Sequence, residues 1–340
     1  MTAVTIAIDA MGGDFGPPIT VPAAIHALNK HPDLQLILVG DETVLHKALH
    51  AENFDSPRLS IQHASETVAM DELPSAALRN KKDSSMRIAL NLVKEDRAAA
   101  CVSAGNTGAL MVTARFVLKT LPGIDRPAII SAFPTNRVDK VVRVLDLGAN
   151  VDCSPEHLVQ FAVMGSVLAR TIGNISAPKV CLLNIGAEEI KGNEQVKQTA
   201  LLLTQANIVN YTGYIEGDRL FQGDADVVIC DGFIGNITLK TSEGALLLIR
   251  QLMKEAFMKN IVTQLMGLLV KPILKSFTKR LDPGNYNGAM LIGLQGTVIK
   301  SHGSANVTAF ANAIEEAMKS VAANVPERIR HEVETLLKLS

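Results

Sequence analysis

Ala99-Ala-Cys-Val-Ser-Ala-Gly-Asn-Thr-Gly108 decides the fold. An apolar run, Ala99–Ser103, stops abruptly in glycine, asparagine and threonine, and a helical pattern, Thr107–Leu121, follows. Buried parallel strands read as continuous apolar runs of this kind. Further strand runs are expected at Val4–Ile8, Leu34–Val39, Leu59–His63, Ala128–Phe133, Val141–Leu147, Lys179–Ile185, Ile208–Thr212, Val227–Cys230, Ala289–Leu294 and Val298–Ser301. Helical patterns lie between many of them: Pro17–Lys30, Thr43–Ala51, Met86–Glu95, Pro155–Gly173 and Glu194–Gln205. Ser154-Pro155-Glu156 is a strong helix start, with proline in the first turn after a capping serine. Two amphipathic helices, Ser304–Lys319 and Pro326–Leu339, close the chain. The alternation predicts a mostly parallel sheet with helices on both faces, a Rossmann-like three-layer α/β/α arrangement. No internal repeat and no low-complexity linker divides it, so residues 1–340 are expected to form one domain or two interwoven lobes.

The same glycine punctuation ends other runs: Asp9-Ala-Met-Gly-Gly-Asp14, Asp146-Leu-Gly-Ala-Asn-Val-Asp152, Asn184-Ile-Gly-Ala-Glu-Glu-Ile-Lys-Gly192, Asp231-Gly-Phe-Ile-Gly-Asn236 and Lys300-Ser-His-Gly303. α/β proteins bind ligands at the carboxyl ends of their strands, and glycine lets backbone N–H groups approach an anion. These loops together predict one polar site drawn from the whole chain. Taken singly, each is also what a strand-to-helix turn prefers.

Composition removes several classes. The 340 residues are 47% hydrophobic and 20% charged, as in a globular protein with a sizeable core. A net charge of −1 and 4% aromatic content carry no nucleic-acid signature. The amino terminus, Met1-Thr-Ala-Val-Thr-Ile-Ala-Ile-Asp9, has no basic segment or cleavage site and reads as a first strand, which predicts a cytoplasmic protein. Cys101, Cys181 and Cys230 lie in apolar runs and read as buried thiols; Cys153 and Cys230 also border polar loops, where a nucleophile is the rival reading. There is no GxGxxG after the first strand, no GxxxxGK[ST], no GxSxG and no HExxH. His46 and His50 stand at i, i+4 without a third ligand, and Asp9, Asp14, Asp146, Asp152 and Asp231 form no compact triplet. No metal and no cofactor are expected.

What remains is backbone N–H groups, asparagines, hydroxyls and a few cations. That set suits phosphate or an acyl phosphate better than covalent catalysis. Inorganic phosphate is largely dianionic near neutral pH and needs no strong base; it needs desolvation, alignment and a stabilised oxyanion. Lys191 offers a charge for phosphate or the leaving group, and Asn236 offers amide hydrogens for an oxyanion. The plainer readings are a surface lysine and a helix-capping asparagine.

One stretch breaks the α/β alternation. Asn236–Leu281 holds no strand, and Arg250–Leu281 carries a net charge of +6. Two helices meeting near Gly267–Pro272 are expected there, forming a protruding amphipathic hairpin over residues 245–281. Leu265, Leu268, Leu269, Val270 and Ile273 supply apolar contact, and Lys254, Lys259, Lys271 and Lys275 supply charge. Such a tip suits a dimer interface or an anionic membrane surface.

Through these loops, over nearly the whole chain, the sequence resembles the acyl-ACP:phosphate acyltransferases of bacterial phospholipid synthesis, the PlsX family. The motifs are Asp9-Ala-Met-Gly-Gly-Asp14, Ser103-Ala-Gly-Asn-Thr-Gly-Ala109, Asp146-Leu-Gly-Ala-Asn150, Gly186-Ala-Glu-Glu-Ile-Lys-Gly192, Asp231-Gly-Phe-Ile-Gly-Asn236 and Lys300-Ser-His-Gly303. Each alone is weak, and together in this order they are specific. The resemblance implies transfer of a long-chain acyl group from acyl carrier protein to inorganic phosphate, the acyl phosphate then passing to a membrane glycerol-3-phosphate acyltransferase. It implies a cytoplasmic homodimer, peripherally bound to membrane, with a fold similar to isocitrate and isopropylmalate dehydrogenases and phosphotransacetylases. Lys191 and Asn236 match positions implicated in the family's active site. Asp9, Gly12, Gly13, Asp14, Ser103, Asn106, Thr107, Asp146, Asn150, Asn184, Asp231, Gly235 and His302 carry over as substrate-binding candidates. Rival readings are a phosphotransacetylase-like enzyme using acyl-coenzyme A, a metal-dependent dehydrogenase of similar fold, and a membrane-associated scaffold.

Overall fold

In the computed structural model, residues 3–281, 284 and 287–337 are described, with backbone alone at 272–281 and 336–337. The strands are β1 (Val4–Asp9), β2 (Leu34–Gly40), β3 (Leu59–His63), β4 (Ala100–Ser103), β5 (Ala128–Pro134), β6 (Val141–Leu145), β7 (Val180–Leu183), β8 (Tyr211–Ile215), β9 (Val227–Ile229), β10 (Ala289–Ile292) and β11 (Thr297–Lys300). The helices are α1 (Pro17–Lys30), α2 (Glu42–Ala51), α3 (Pro74–Asn80), α4 (Ser85–Lys94), α5 (Thr107–Leu118), α6 (Pro155–Thr171), α7 (Glu194–Ala206), α8 (Gly232–Met258), α9 (Ile261–Leu281), α10 (Val307–Ala322) and α11 (Val325–Leu337). Local chemistry sets their ends. At α6, Ser154 accepts from the His157 N–H while the His157 ring accepts from the Ser154 N–H, a reciprocal cap.

The strands form an 11-stranded sheet in the order β3-β2-β1-β4-β11-β10-β5-β6-β9-β7-β8. Side chains alternate across it, as a pleated strand requires. Ile6 and Ile8 join Leu28, Phe161 and Phe310 under α1, α2, α6, α7, α10 and α11. Ala7, Cys101 and Val144 join Met86 and Leu110 under α3, α4 and α5. The three-layer α/β/α expectation holds.

Three antiparallel joints change where the loops go. β10 is antiparallel to both β11 and β5, and β5 is antiparallel to β6. The parallel block β3-β2-β1-β4-β11 and the parallel block β6-β9-β7-β8 therefore run in opposite senses. Ile8, Val102, Ile299, Met290, Ile130, Leu145 and Ile229 fall on one row across the sheet, so the carboxyl ends of the two blocks meet at the same level and face one another, and their glycine loops form two adjoining groups.

α8 and α9 follow one another as two helices, and the break between them differs from the expected place. The break falls at Lys259–Asn260, not at Gly267–Pro272. Asn260 ends one helix and begins the next: its side chain accepts from the Thr263 N–H at 2.9 Å, and Thr263 Oγ1 accepts from the Asn260 N–H at 3.0 Å. Gly267 lies against the Phe257 ring, where a Cβ would come within 3.2 Å, and so marks the close crossing of the two helices. No side chain from Asn236 to Lys271 is buried. Leu268 is 63% and Leu269 81% exposed; Lys254, Lys259, Leu265 and Lys271 are exposed as well, and Val270 is half-buried. The side chains of Ile273 and Lys275 lie outside the described residues. Among the described residues no helix is long and apolar enough to cross a membrane.

Candidate functional site

Asp9, at the carboxyl end of β1, is buried and accepts hydrogen bonds from Ser103 Oγ and Ser85 Oγ, each at 2.6 Å. Burial pushes its carboxyl upward against those two hydroxyls. Gly12 is required beside it, because a Cβ there would stand 2.5 Å from the Asp9 carboxylate. The Asp14 N–H donates to Gly303 O at 2.9 Å, which joins the first loop to the loop after β11. Gly13, Ala104 and Gly303 touch in the same place. The loops of this block thus unite Asp9, Gly12, Gly13, Asp14, Ser103, Asn106, Thr107 and His302. Asn106 is largely occupied with structure: its oxygen caps the Ala109 N–H, and its amide donates to Met70 O and Glu72 O.

Lys300 and Ser85 belong to the same group and were not singled out from the sequence. Lys300 is 8% exposed, and its amine donates to the carbonyls of Ala104 (3.3 Å) and Ser301. Burial lowers it to about 8, Lys240 adds repulsion, and Asp9 opposes the shift. The signal was present in Thr297-Val-Ile-Lys300, a charge on the last residue of a buried strand.

At the carboxyl end of β6, in the other block, Asp146 is wholly buried and accepts from the N–H groups of Ile129, Ala149 and Asn150 and from the Asn150 amide. Asn150 also donates to Pro127 O at 2.8 Å. Both residues are fully engaged in shaping the loop. Asp231 caps α8 through the Ile234 N–H, and Gly232 N donates to Asn150 O at 2.7 Å. Gly235 packs so closely that a Cβ would stand 1.8 Å from Asp146 O. The result is a rigid seat for the first turn of α8, on which Asn236 projects, exposed, beside Gly148. Its side chain makes no hydrogen bond with a described residue.

The loop after β7 flanks this seat, since β7 pairs with β9. Asn184 holds the loop closed by donating to Gly186 O (3.1 Å) and Lys191 O (3.3 Å). Lys191 is exposed, with no ion pair to a described residue. The thiols are poor nucleophiles. Burial, reinforced by the Asp146 charge, pushes Cys153 up to about 12 and Cys230 well above its ordinary value. Among the described residues no group of His, Cys, Asp and Glu is placed to hold a metal ion.

α8 runs from one group of loops to the other. Asn236, Lys240 and Glu243 are spaced so as to share one helix face. Glu243 Oε2 lies 4.0 Å from His302 Nε2 and 2.8 Å from Lys240 Nζ. From Asn236 to His302 the polar face thus spans about 10 Å along the helix axis. The loops from which the sequence expected one polar site come from the two blocks, end at the same level of the sheet, and are bridged by the start of α8.

The model of the family described as "Fatty acid synthesis protein" matches residues 4–328. A phosphate acyltransferase of Coxiella burnetii (strain Dugway 5J108-111) is 59% identical over 336 residues, 98% of each chain. A phosphate acyltransferase of Legionella pneumophila (strain Paris) is 57% identical over 334 residues, 98% of this chain and 97% of the relative. Among solved structures, a phosphotransacetylase from Streptococcus pyogenes matches with a TM-score of 0.63 at 17% identity, over 95% of this chain and 94% of that one. That last likeness speaks for the fold alone.

Proposed function

The chain belongs to the fatty acid synthesis protein family and, with its relatives, is a phosphate acyltransferase; on that premise we propose that it moves a long-chain fatty acyl group from acyl carrier protein to inorganic phosphate. In this reaction a phosphate oxygen forms a bond to the thioester carbonyl carbon. The C–S bond breaks, acyl phosphate is released, and the carrier thiolate takes the proton given up by phosphate. No covalent enzyme intermediate is needed, in keeping with thiols that burial holds protonated.

The observation that carries this reading is Asn236. Its backbone is locked by Asp231, Gly232 and Gly235 against the Asp146–Asn150 loop, yet its own amide is exposed. A rigidly mounted, uncommitted N–H donor is what a developing oxyanion requires, and it acts without reorganisation. Lys191, on the neighbouring loop, offers a cation to phosphate or to the leaving thiolate. Loss of one good oxyanion donor typically costs about 10²–10³ in rate. Asn236→Ala is expected to lower kcat by that order with an unchanged unfolding temperature. A variant that keeps more than half of the wild-type kcat would remove Asn236 from the reaction.

The hairpin serves delivery. Acyl carrier proteins are acidic, and the +6 segment Arg250–Leu281 suits docking that weakens as salt rises. Its exposed leucines suit reversible contact with an anionic membrane surface, where the acyl phosphate would meet a membrane glycerol-3-phosphate acyltransferase. The remaining exposed apolar area on α8 suits a second copy of the chain, giving a homodimer of cytoplasmic, peripherally membrane-bound protein.

A further inference from the structure

We propose that Lys240, Lys300 and His302 form the subsite that holds inorganic phosphate, where the first turns of α8 cross the loops that end β1, β4 and β11. This presupposes that phosphate is the acceptor, as proposed above. Lys240 lies one helical turn, about 6 Å, from Asn236 on the same face. Phosphate at Lys240 would therefore sit within reach of a thioester whose carbonyl oxygen points at the Asn236 amide.

The arrangement of charge points to an anion. Lys240 stands close enough to Lys300 and His302 to disfavour the protonated form of each. Lys300 is buried, and its amine rests on two neutral carbonyls rather than on a carboxylate. Asp9, the buried carboxyl nearby, is taken up by two serine hydroxyls and forms no ion pair with Lys300 among the described residues. The two ammonium groups repel one another and hold the imidazole neutral, and burial adds a further cost. A shared anion offsets both. The other carboxylates that face the cluster are Asp14, exposed on its loop, and Glu243.

Glu243 shows where an anion goes. Its carboxylate accepts from Lys240 at 2.8 Å and lies 4.0 Å from His302 Nε2. The His302 ring presents a proton there. Its Nδ1 accepts the Ser304 backbone N–H at 3.2 Å, so in the neutral ring the hydrogen sits on Nε2. A neutral N–H beside two ammonium groups matches a phosphate that offers several acceptor oxygens, and phosphate entering here displaces the Glu243 carboxylate.

The test is steady-state turnover of palmitoyl-acyl carrier protein at varied inorganic phosphate, with thermal unfolding at the same phosphate concentrations. Lys240→Met is expected to raise the KM for phosphate by about ten- to a hundredfold, the loss of a charged hydrogen bond, and to leave the KM for the acyl donor within twofold. Lys240→Arg is expected to recover most of the phosphate KM. Phosphate should raise the unfolding temperature of the wild type and not that of Lys240→Met. Lys240 is exposed, so the variant keeps its fold. If the wild type makes no acyl phosphate, the proposed function fails, and the unfolding shifts still judge the subsite. A wild type that turns over while Lys240→Met keeps its phosphate KM within twofold, or equal protection of both proteins by phosphate, overturns the subsite.

Discussion

Gly235→Ala should cripple turnover by moving Asn236 rather than by removing any functional group. An added Cβ would stand 1.8 Å from Asp146 O, 2.9 Å from Asp146 C and 3.0 Å from Cys230 Sγ, whereas ordinary contact begins at 3.4 Å. Asp146 cannot recoil, because its carboxylate holds three backbone N–H groups and its own N–H is bound to Cys230 O. The first turn of α8 must therefore retreat by about 1.5 Å, a misplacement that typically costs about 10² in rate. Overpacking of this kind costs about 3 kcal/mol. For a chain of 340 residues the unfolding entropy is about 0.7 kcal/mol per degree, so the unfolding temperature should drop by about 4 °C. Gly244→Ala, on the same helix with nothing within 4 Å of the new carbon, is the matched control. It should stabilise the protein by up to about 1 kcal/mol and leave kcat unchanged. Stopped assays of kcat with calorimetry on both variants decide the matter. A Gly235→Ala enzyme with kcat within threefold of wild type would show that the seat of α8 does not position the chemistry.

Lys191→Ala should abolish turnover with no change in unfolding temperature, since the side chain is exposed; retention of most activity would exclude it from the mechanism. Leu268→Glu should release the protein from anionic vesicles in co-sedimentation, by about tenfold or more for one lost leucine insertion, while sparing turnover with a soluble short-chain donor; equal vesicle binding by both proteins would exclude the tip. Burial lowers Lys300 from 10.5 to about 8, so between those values the unfolded chain binds a proton that the folded chain lacks, and stability rises with pH. Wild type measured against Lys300→Met in denaturant titrations should therefore gain on the order of 3 kcal/mol across that window. A flat difference would mean that the amine is not desolvated.

Strand positions were legible because a buried parallel strand leaves an unbroken apolar run. Ala99–Ser103 and Lys179–Ile185 differ from β4 and β7 only at their ends. Strand direction was not legible: nothing in Ala128–Phe133 or Ala289–Leu294 tells that β5 and β10 each meet a neighbour head to tail. That reversal turns the carboxyl ends of the two blocks toward one another, so the loops of Asp9 and Asp146 come from opposite directions to the same level of the sheet. α3 was missed because Pro74–Asn80 is short and buries only Ala77. The break between α8 and α9 was misplaced because Pro272 and Gly267 are louder in composition than the Asn260–Thr263 cap. Several motif residues read as binding, notably Asp146, Asn150 and Asn106, spend their hydrogen bonds on loop architecture. Lys240 and Glu243 escaped notice because only the path of α8 across the sheet brings them to His302.

The central claim is acyl transfer to phosphate, and hydroxylamine trapping tests it most directly. Purified protein is incubated with palmitoyl-acyl carrier protein, with and without inorganic phosphate, and the trapped hydroxamate is measured above the background of the thioester itself. Phosphate-dependent hydroxamate from the carrier-bound donor is the predicted result. Product from palmitoyl-coenzyme A but not from the carrier protein, or no product from either donor with folded protein, would contradict the account.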